Sequence, residues 1–212
     1  MKHIGIVCAM SKELNLLERE FEGTNEVECI LSGIGKVNAA IAAQKLIDRP
    51  SPDSLLSIGV AGTFVEGLME GETVIASRCA YHDMMCLPKY LPGQVPGLPL
   101  YFESDPRLVD AARKAVPEAR VGLLCTGDQF YVSQQEDARQ KALFPHSLAI
   151  DMEGAAVAQA ALKAGIPFLA VKIISDNHTD CRQKERYAEF WDRMAGQSFT
   201  SVRRIISNIV SL

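Results

Sequence analysis

The sequence predicts an α/β fold: a single domain, residues 1–212, arranged as a three-layer α/β sandwich with a mixed, mostly parallel central sheet. Three observations carry this reading. Apolar runs of strand length recur at 4–8, 27–31, 55–60, 74–80, 121–125, 148–150 and 168–174. Helical patterns lie between many of them, and strands that alternate with helices form a parallel sheet covered on both faces. The length of 212 residues suffices for one substantial core and is short for two.

The helices follow in order. Ser11, ahead of Glu13, Leu14, Leu17 and Phe21, opens the first with an apolar face, and Val37, Ala40, Ala43 and Leu46 repeat that spacing over 36–47. Further helices are expected at 105–115, 135–143, 153–164 and, as one long element, 186–210. The segment Gly-Gln-Val-Pro-Gly-Leu-Pro at 93–99 is too rich in glycine and proline for a helix and reads as a long surface loop.

Composition excludes several classes. Hydrophobic residues at 48% and charged residues at 23% describe a globular chain and neither a disordered nor a fibrous one. A net charge of -4 disfavours nucleic acid and anionic membrane, leaving a small molecule as the expected partner. The six cysteines are scattered without a C-x-x-C pair, so neither a structural metal nor a cofactor is expected, and most sit among aliphatic neighbours as small core residues. The apolar run ending at Cys8 is too short for a signal peptide and no stretch reaches membrane-span length, so the expected location is cytoplasmic.

Three carboxylates fall just past expected strands: Glu13, Glu153 and Asp176. Sites in such sheets lie beyond the carboxyl ends of strands, which would bring the three to one rim. Each also has a plainer reading as a capping group in a first helical turn. Glycine turns follow strands at Ser32-Gly33-Ile34-Gly35-Lys36, Gly59-Val60-Ala61-Gly62 and Thr126-Gly127-Asp128. They permit close backbone approach to a ligand or are simply tight turns, and the first fits neither a P-loop nor a dinucleotide fingerprint.

The strings Cys8-Ala9-Met10-Ser11-Lys12-Glu13, Ser32-Gly33-Ile34-Gly35-Lys36-Val37-Asn38-Ala39-Ala40, Tyr81-His82-Asp83, Gly127-Asp128-Gln129-Phe130, Asp151-Met152-Glu153-Gly154-Ala155-Ala156 and Ile174-Ser175-Asp176 span nearly the whole chain. In this order they resemble the 5'-methylthioadenosine/S-adenosylhomocysteine nucleosidases of the purine nucleoside phosphorylase superfamily. The resemblance implies a nucleoside phosphorylase-like fold and hydrolysis of an N-glycosidic bond without a cofactor. It implies that Asp176 protonates the purine and Glu13 activates water, chemistry that a bond breaking toward a positive sugar and a negative base requires. A proton donor needs burial, whereas Glu13 is expected to stay more ionised. The resemblance further implies that Glu153 takes the ribose hydroxyls, Met152 packs on the sugar and Phe130 stacks on the base, with Tyr131 main-chain groups pairing its edge. Met10, Val60, Ala61, Gly62 and Ser175 complete the binding surface. Tyr187 and the loop near Pro96, the latter from a second subunit, would enclose the 5' substituent, which makes a homodimer the expected assembly. Phe130 and Tyr187 have plainer readings too, as core packing and as a surface helix residue.

Several departures from the family pattern bear on this reading. About one β-hairpin is missing after the first helix, between residues 22 and 31. Val60 replaces a serine near the water, and Lys172 replaces an arginine and keeps the charge without the planar fork. The arginine and serine that hold phosphate in the phosphorylases are absent from Ser57-Ile58-Gly59-Val60, so water is the expected nucleophile. The alternatives are a nucleosidase or phosphorylase for another purine nucleoside, and a nucleoside-binding homologue with impaired catalysis.

Overall fold

The structure is a computed structural model that describes residues 3–21, 23–130, 134–178, 182–193 and 195–212. The elements run β1 (Ile4–Cys8), α1 (Ser11–Phe21), β2 (Val27–Leu31), α2 (Lys36–Ile47), β3 (Ser54–Thr63), β4 (Thr73–Tyr81), β5 (Phe102–Glu103), α3 (Pro106–Ala115), β6 (Arg120–Thr126), α4 (Gln134–Leu143), β7 (Ser147–Asp151), α5 (Gly154–Ala164), β8 (Phe168–Asn177), α6 (Gln183–Arg193) and α7 (Ala195–Val210). Among the described residues no hairpin stands between α1 and β2, in keeping with the short segment there.

The strands form one mixed sheet in the order β2-β1-β3-β7-β6-β4-β5, with β8 bridging β3 and β4. The sheet is mostly parallel: the ladders β1–β2, β1–β3, β3–β8, β4–β6 and β6–β7 are parallel, while β3–β7, β4–β5 and β4–β8 are antiparallel. Period-two alternation sends successive side chains of the buried strands to opposite layers. In β8, Phe168, Ala170 and Ile174 join the core under α2 and α5, and Leu169, Val171 and Ile173 join the core under α1, α3 and α7. Cys8, Cys79 and Cys125 are buried core residues.

Two sets of parallel strands meet tail to tail. β1, β3 and β8 run together, β4, β6 and β7 run together, and the sets meet along the antiparallel β4–β8 ladder and at the antiparallel pair Gly62 and Ile150, near the carboxyl ends of β3 and β7. Both sets of strand ends therefore open into one place. A bulge sharpens this: Ala61 pairs with Ile174 and Gly62 with Asp176, leaving Ser175 as the extra residue that brings Asp176 opposite Gly62.

The helix expected over 186–210 falls in α6 and α7, helical on either side of residue 194, which lies outside the described residues. They have different partners: α7 buries Phe199, Val202, Ile205, Ile206 and Ile209 against the α1 and α3 layer, while α6 lies on β8 beside its polar end. Among the described residues, no helix is long and apolar enough to cross a membrane.

Candidate active site

A cavity lies where the strand ends meet. Ala9, Met10 and Glu13 wall it after β1, and Val60, Ala61 and Gly62 line it from β3. Met152 and Glu153 come from the β7–α5 junction, Ser175 from β8, Phe130 from the segment after β6 and Tyr187 from α6. Tyr131 lies outside the described residues, and Pro96 is exposed in the loop between β4 and β5 and does not line this cavity.

Glu13 is 2% exposed, lines the cavity and also caps its own helix. Its Oε2 accepts from the backbone N–H groups of Ala9 and Met10, both at 2.9 Å, the Met10 contact being the backward half of a capping box. Its Oε1 accepts from Val60 N–H at 2.9 Å, which orients the carboxylate along the cavity wall. That approach requires a glycine, since a Cβ at Gly59 would lie 2.5 Å from Glu13 Oε1. Burial raises the Glu13 pKa, with the Lys172 charge and the three N–H donors pulling it back down. The net direction runs against the expectation that Glu13 stays more ionised, and it makes Glu13 a stronger base.

Glu153 stands at the N-terminus of α5 without capping it through its side chain. Its Oε1 accepts instead from Gly35 N–H at 2.8 Å. Gly35, at φ 99, holds a backbone conformation that favours glycine, so the glycine turn after β2 presents its N–H to a carboxylate and not to a phosphate. Burial, and then the neighbouring Asp151, push the Glu153 pKa up to about 7.

Behind these groups lies a buried ion pair, Lys172 Nζ to Asp151 Oδ2 at 2.9 Å, with Ser57 Oγ 3.2 Å from the ammonium. Burial favours the neutral amine, but Asp151, Glu153 and Glu13 outweigh it and raise the Lys172 pKa. Asp151 also accepts from Thr126 Oγ1 at 2.6 Å and from Gly154 N–H at 2.8 Å, tying β6, β7, β8 and α5 together at the cavity floor. A second network joins the glycine turns: Lys36 Nζ donates to Asp83 at 2.5 Å, Asp128 N–H to Asp83 at 2.9 Å and Lys36 N–H to Asp128 at 2.8 Å.

Asp176 is 1% exposed and sits at the cavity edge behind Ser175, so it is not itself a wall residue. Its Oδ1 accepts from Ser175 Oγ at 2.7 Å and its Oδ2 from Gln183 Nε2 at 2.6 Å. His178, which does line the cavity, brings Nε2 to 3.9 Å from Oδ2. On the opposite wall Phe130 is 47% exposed, which core packing does not describe, and its ring meets that of Tyr187 edge-on at 5.2 Å between centroids. The Tyr187 hydroxyl donates to Met10 Sδ at 3.4 Å, so this helix residue faces the cavity.

The sequence reading missed Asp151, Ile34, Gln129, Ile150, His178 and Gln183. Asp151 and Gln129 stand inside the strings quoted above, next to residues already singled out. His178 and Gln183 belong to no motif, and only their contacts with Asp176 single them out.

With this geometry in view, comparison with known proteins gives a consistent result. A family model described as the Phosphorylase superfamily matches residues 3–211. A 5'-methylthioadenosine/S-adenosylhomocysteine nucleosidase of Oceanobacillus iheyensis is 34% identical over 195 residues, covering 82% of this chain and 85% of the relative. The nucleosidase of Neisseria meningitidis, solved in complex with methylthio-immucillin-A, superposes with a TM-score of 0.90 at 32% identity and full coverage of both chains (100% each). That of S. pneumoniae, solved with the transition-state inhibitor MT-ImmA, gives a TM-score of 0.89 at 32% identity, covering 98% of this chain and 99% of the other. The chain belongs to the 5'-methylthioadenosine/S-adenosylhomocysteine nucleosidase family of the phosphorylase superfamily.

Proposed function

We propose that this protein hydrolyses the N-glycosidic bond of 5'-methylthioadenosine and S-adenosylhomocysteine, with Glu13 as the base that activates water and Asp176 as the acid that protonates the departing adenine. One observation carries the choice of water over phosphate. Three carboxylates, Glu13, Asp151 and Glu153, line the cavity, and no lysine or arginine is among its described wall residues. A wall without a cation offers phosphate no clamp, while a neutral water meets a buried carboxylate of raised pKa. Val60 supports this arrangement through its backbone, since its N–H holds Glu13 although its side chain cannot hold water.

Position on the cavity wall supports the remaining roles: Glu153 accepts the ribose hydroxyls with Met152 against the sugar, and Phe130 stacks on the base. Tyr187 covers the 5' substituent, with Pro96 of the second copy completing that pocket. The homodimer is supported by α2 and the turn before it, where Ile34, Val37 and Ile41 are 54%, 70% and 51% exposed, an apolar surface that a second copy would cover. The setting is the cytoplasm, in methionine salvage.

Incubation with 5'-methylthioadenosine in phosphate-free buffer, followed by chromatography, is expected to show free adenine at a rate that added phosphate does not change. A rate that requires phosphate would make the protein a phosphorylase, and thermal stabilisation by the nucleoside without adenine release would make it a binding protein.

Glu153 adds a pH dependence. A carboxyl with a pKa near 7 binds both ribose hydroxyls as acceptors only when ionised, so KM should rise as pH falls through about 7 and level off above it. Stability runs the other way: between the ordinary 4.5 and about 7 the folded chain holds a proton that the unfolded chain releases, so this group's contribution declines as pH rises through that window. In Glu153→Gln both trends should vanish from a pH series of KM and melting temperature, and KM should be higher throughout.

A further inference from the structure

Asp176 gives up a proton in every turnover, on the reading above, yet it is buried and must be protonated again before the next. The structure contains a path for that proton. His178 follows the end of β8, with its backbone N–H on Thr63 O at 2.8 Å and its ring edge-on to Phe64 at 4.7 Å. The ring is clamped between two carboxylates: Nδ1 is 3.0 Å from Asp137 Oδ1 on α4, and Nε2 is 3.9 Å from Asp176 Oδ2. Gly62 leaves room for it, because a Cβ there would lie 2.6 Å from Nε2. Side-chain exposure falls along the line from 18% at Asp137 to 8% at His178 and 1% at Asp176, so the imidazole stands between the outer groups and the buried acid. Among the described residues, Asp137 and Asp176 are the charged groups paired with this ring.

We propose that His178, anchored by Asp137, acts through Asp176 as its proton-delivering and positioning residue. The Nδ1–H bond to Asp137 holds the ring with Nε2 toward Asp176, so that a ring carrying both protons directs Nε2–H at that carboxylate. After adenine has taken the Asp176 proton, the His178 Nε2–H bond breaks as an Asp176 Oδ2–H bond forms, leaving a neutral imidazole with its Nδ1–H still on Asp137. The ring then takes a proton from water at Nε2 through the cavity it lines. Glu13 releases the proton gained from the nucleophilic water to solvent, so the cycle closes with no net proton change. Gln183, which donates to the same Asp176 oxygen, is an amide with no acidic proton to give at neutral pH and serves only to hold it.

This inference rests on Asp176 being the acid, and the test separates the two claims. With 5'-methylthioadenosine as substrate, His178→Ala is expected to lower kcat by about tenfold or more, within the range of proton-transfer effects, while KM changes little. Added imidazole should restore part of kcat in proportion to its concentration, since the vacated space opens on the cavity, and a purely structural role would not respond to it. In an Asp176→Asn background, His178→Ala should cost nothing further. Asp137→Asn keeps the ring and removes its anchor, so it should lower kcat severalfold without response to imidazole, and it decides the matter if His178→Ala does not fold. A wild-type protein that releases no adenine overturns both readings. An active wild type overturns the relay alone if kcat is unchanged in these variants, or if the loss in His178→Ala is not restored by imidazole.

Discussion

Replacing Glu13 by glutamine is expected to reduce kcat by about a thousandfold or more, the upper part of what a general base contributes, and to lower stability as well. The first effect follows because an amide cannot take a proton from water. The second follows from the geometry around the carboxylate. Both oxygens accept backbone N–H groups, Ala9 and Met10 on one and Val60 on the other, so the glutamine NH2 must confront a donor in either orientation. The better orientation keeps the amide oxygen on the paired donors and leaves Val60 N–H unsatisfied, at a cost of about 1–3 kcal/mol. Steady-state kinetics together with thermal melting check both parts. A variant that keeps more than a tenth of wild-type kcat would remove Glu13 from the role of base.

The second large effect is expected at Asp176, with a different signature. Asp176→Asn should lose about 10²–10⁴ in kcat, because an asparagine can hydrogen-bond the purine but cannot transfer a proton to it. Stability should hardly change. Asp176 Oδ1 faces a hydroxyl, which accepts as readily as it donates, and Oδ2 faces a donating amide. An asparagine with its NH2 toward Ser175 and its oxygen toward Gln183 satisfies both partners. The variant should therefore still bind the nucleoside, measurable by calorimetry or by a ligand-induced rise in melting temperature. Retained turnover would refute the assignment of Asp176 as the acid. The contrast between the two carboxylates, one destabilised and one not, distinguishes loss of chemistry from loss of fold.

Much of the architecture was legible because periodicity is local. β1, β2 and α2 have the bounds that their apolar patterns imply, and α1 begins at Ser11 as its first turn suggests. The misses have physical causes. β3 and β8 continue to Thr63 and Asn177, beyond the apolar runs at 55–60 and 168–174, because their polar ends remain paired through the bulge at Ser175. β5, only Phe102–Glu103, is too short to show a period.

The sequence by itself determined the succession of strands and helices, the family likeness and the residues that could do acid–base work, since each of these is a property of neighbours along the chain. Only the tertiary structure decided which strands meet tail to tail at Gly62 and Ile150, that Lys172 pairs with Asp151, and that His178 lies between Asp137 and Asp176. The reason is that burial and distance set the energy of a charge, and both depend on which strand ends the fold brings together, a quantity that no window of consecutive residues contains.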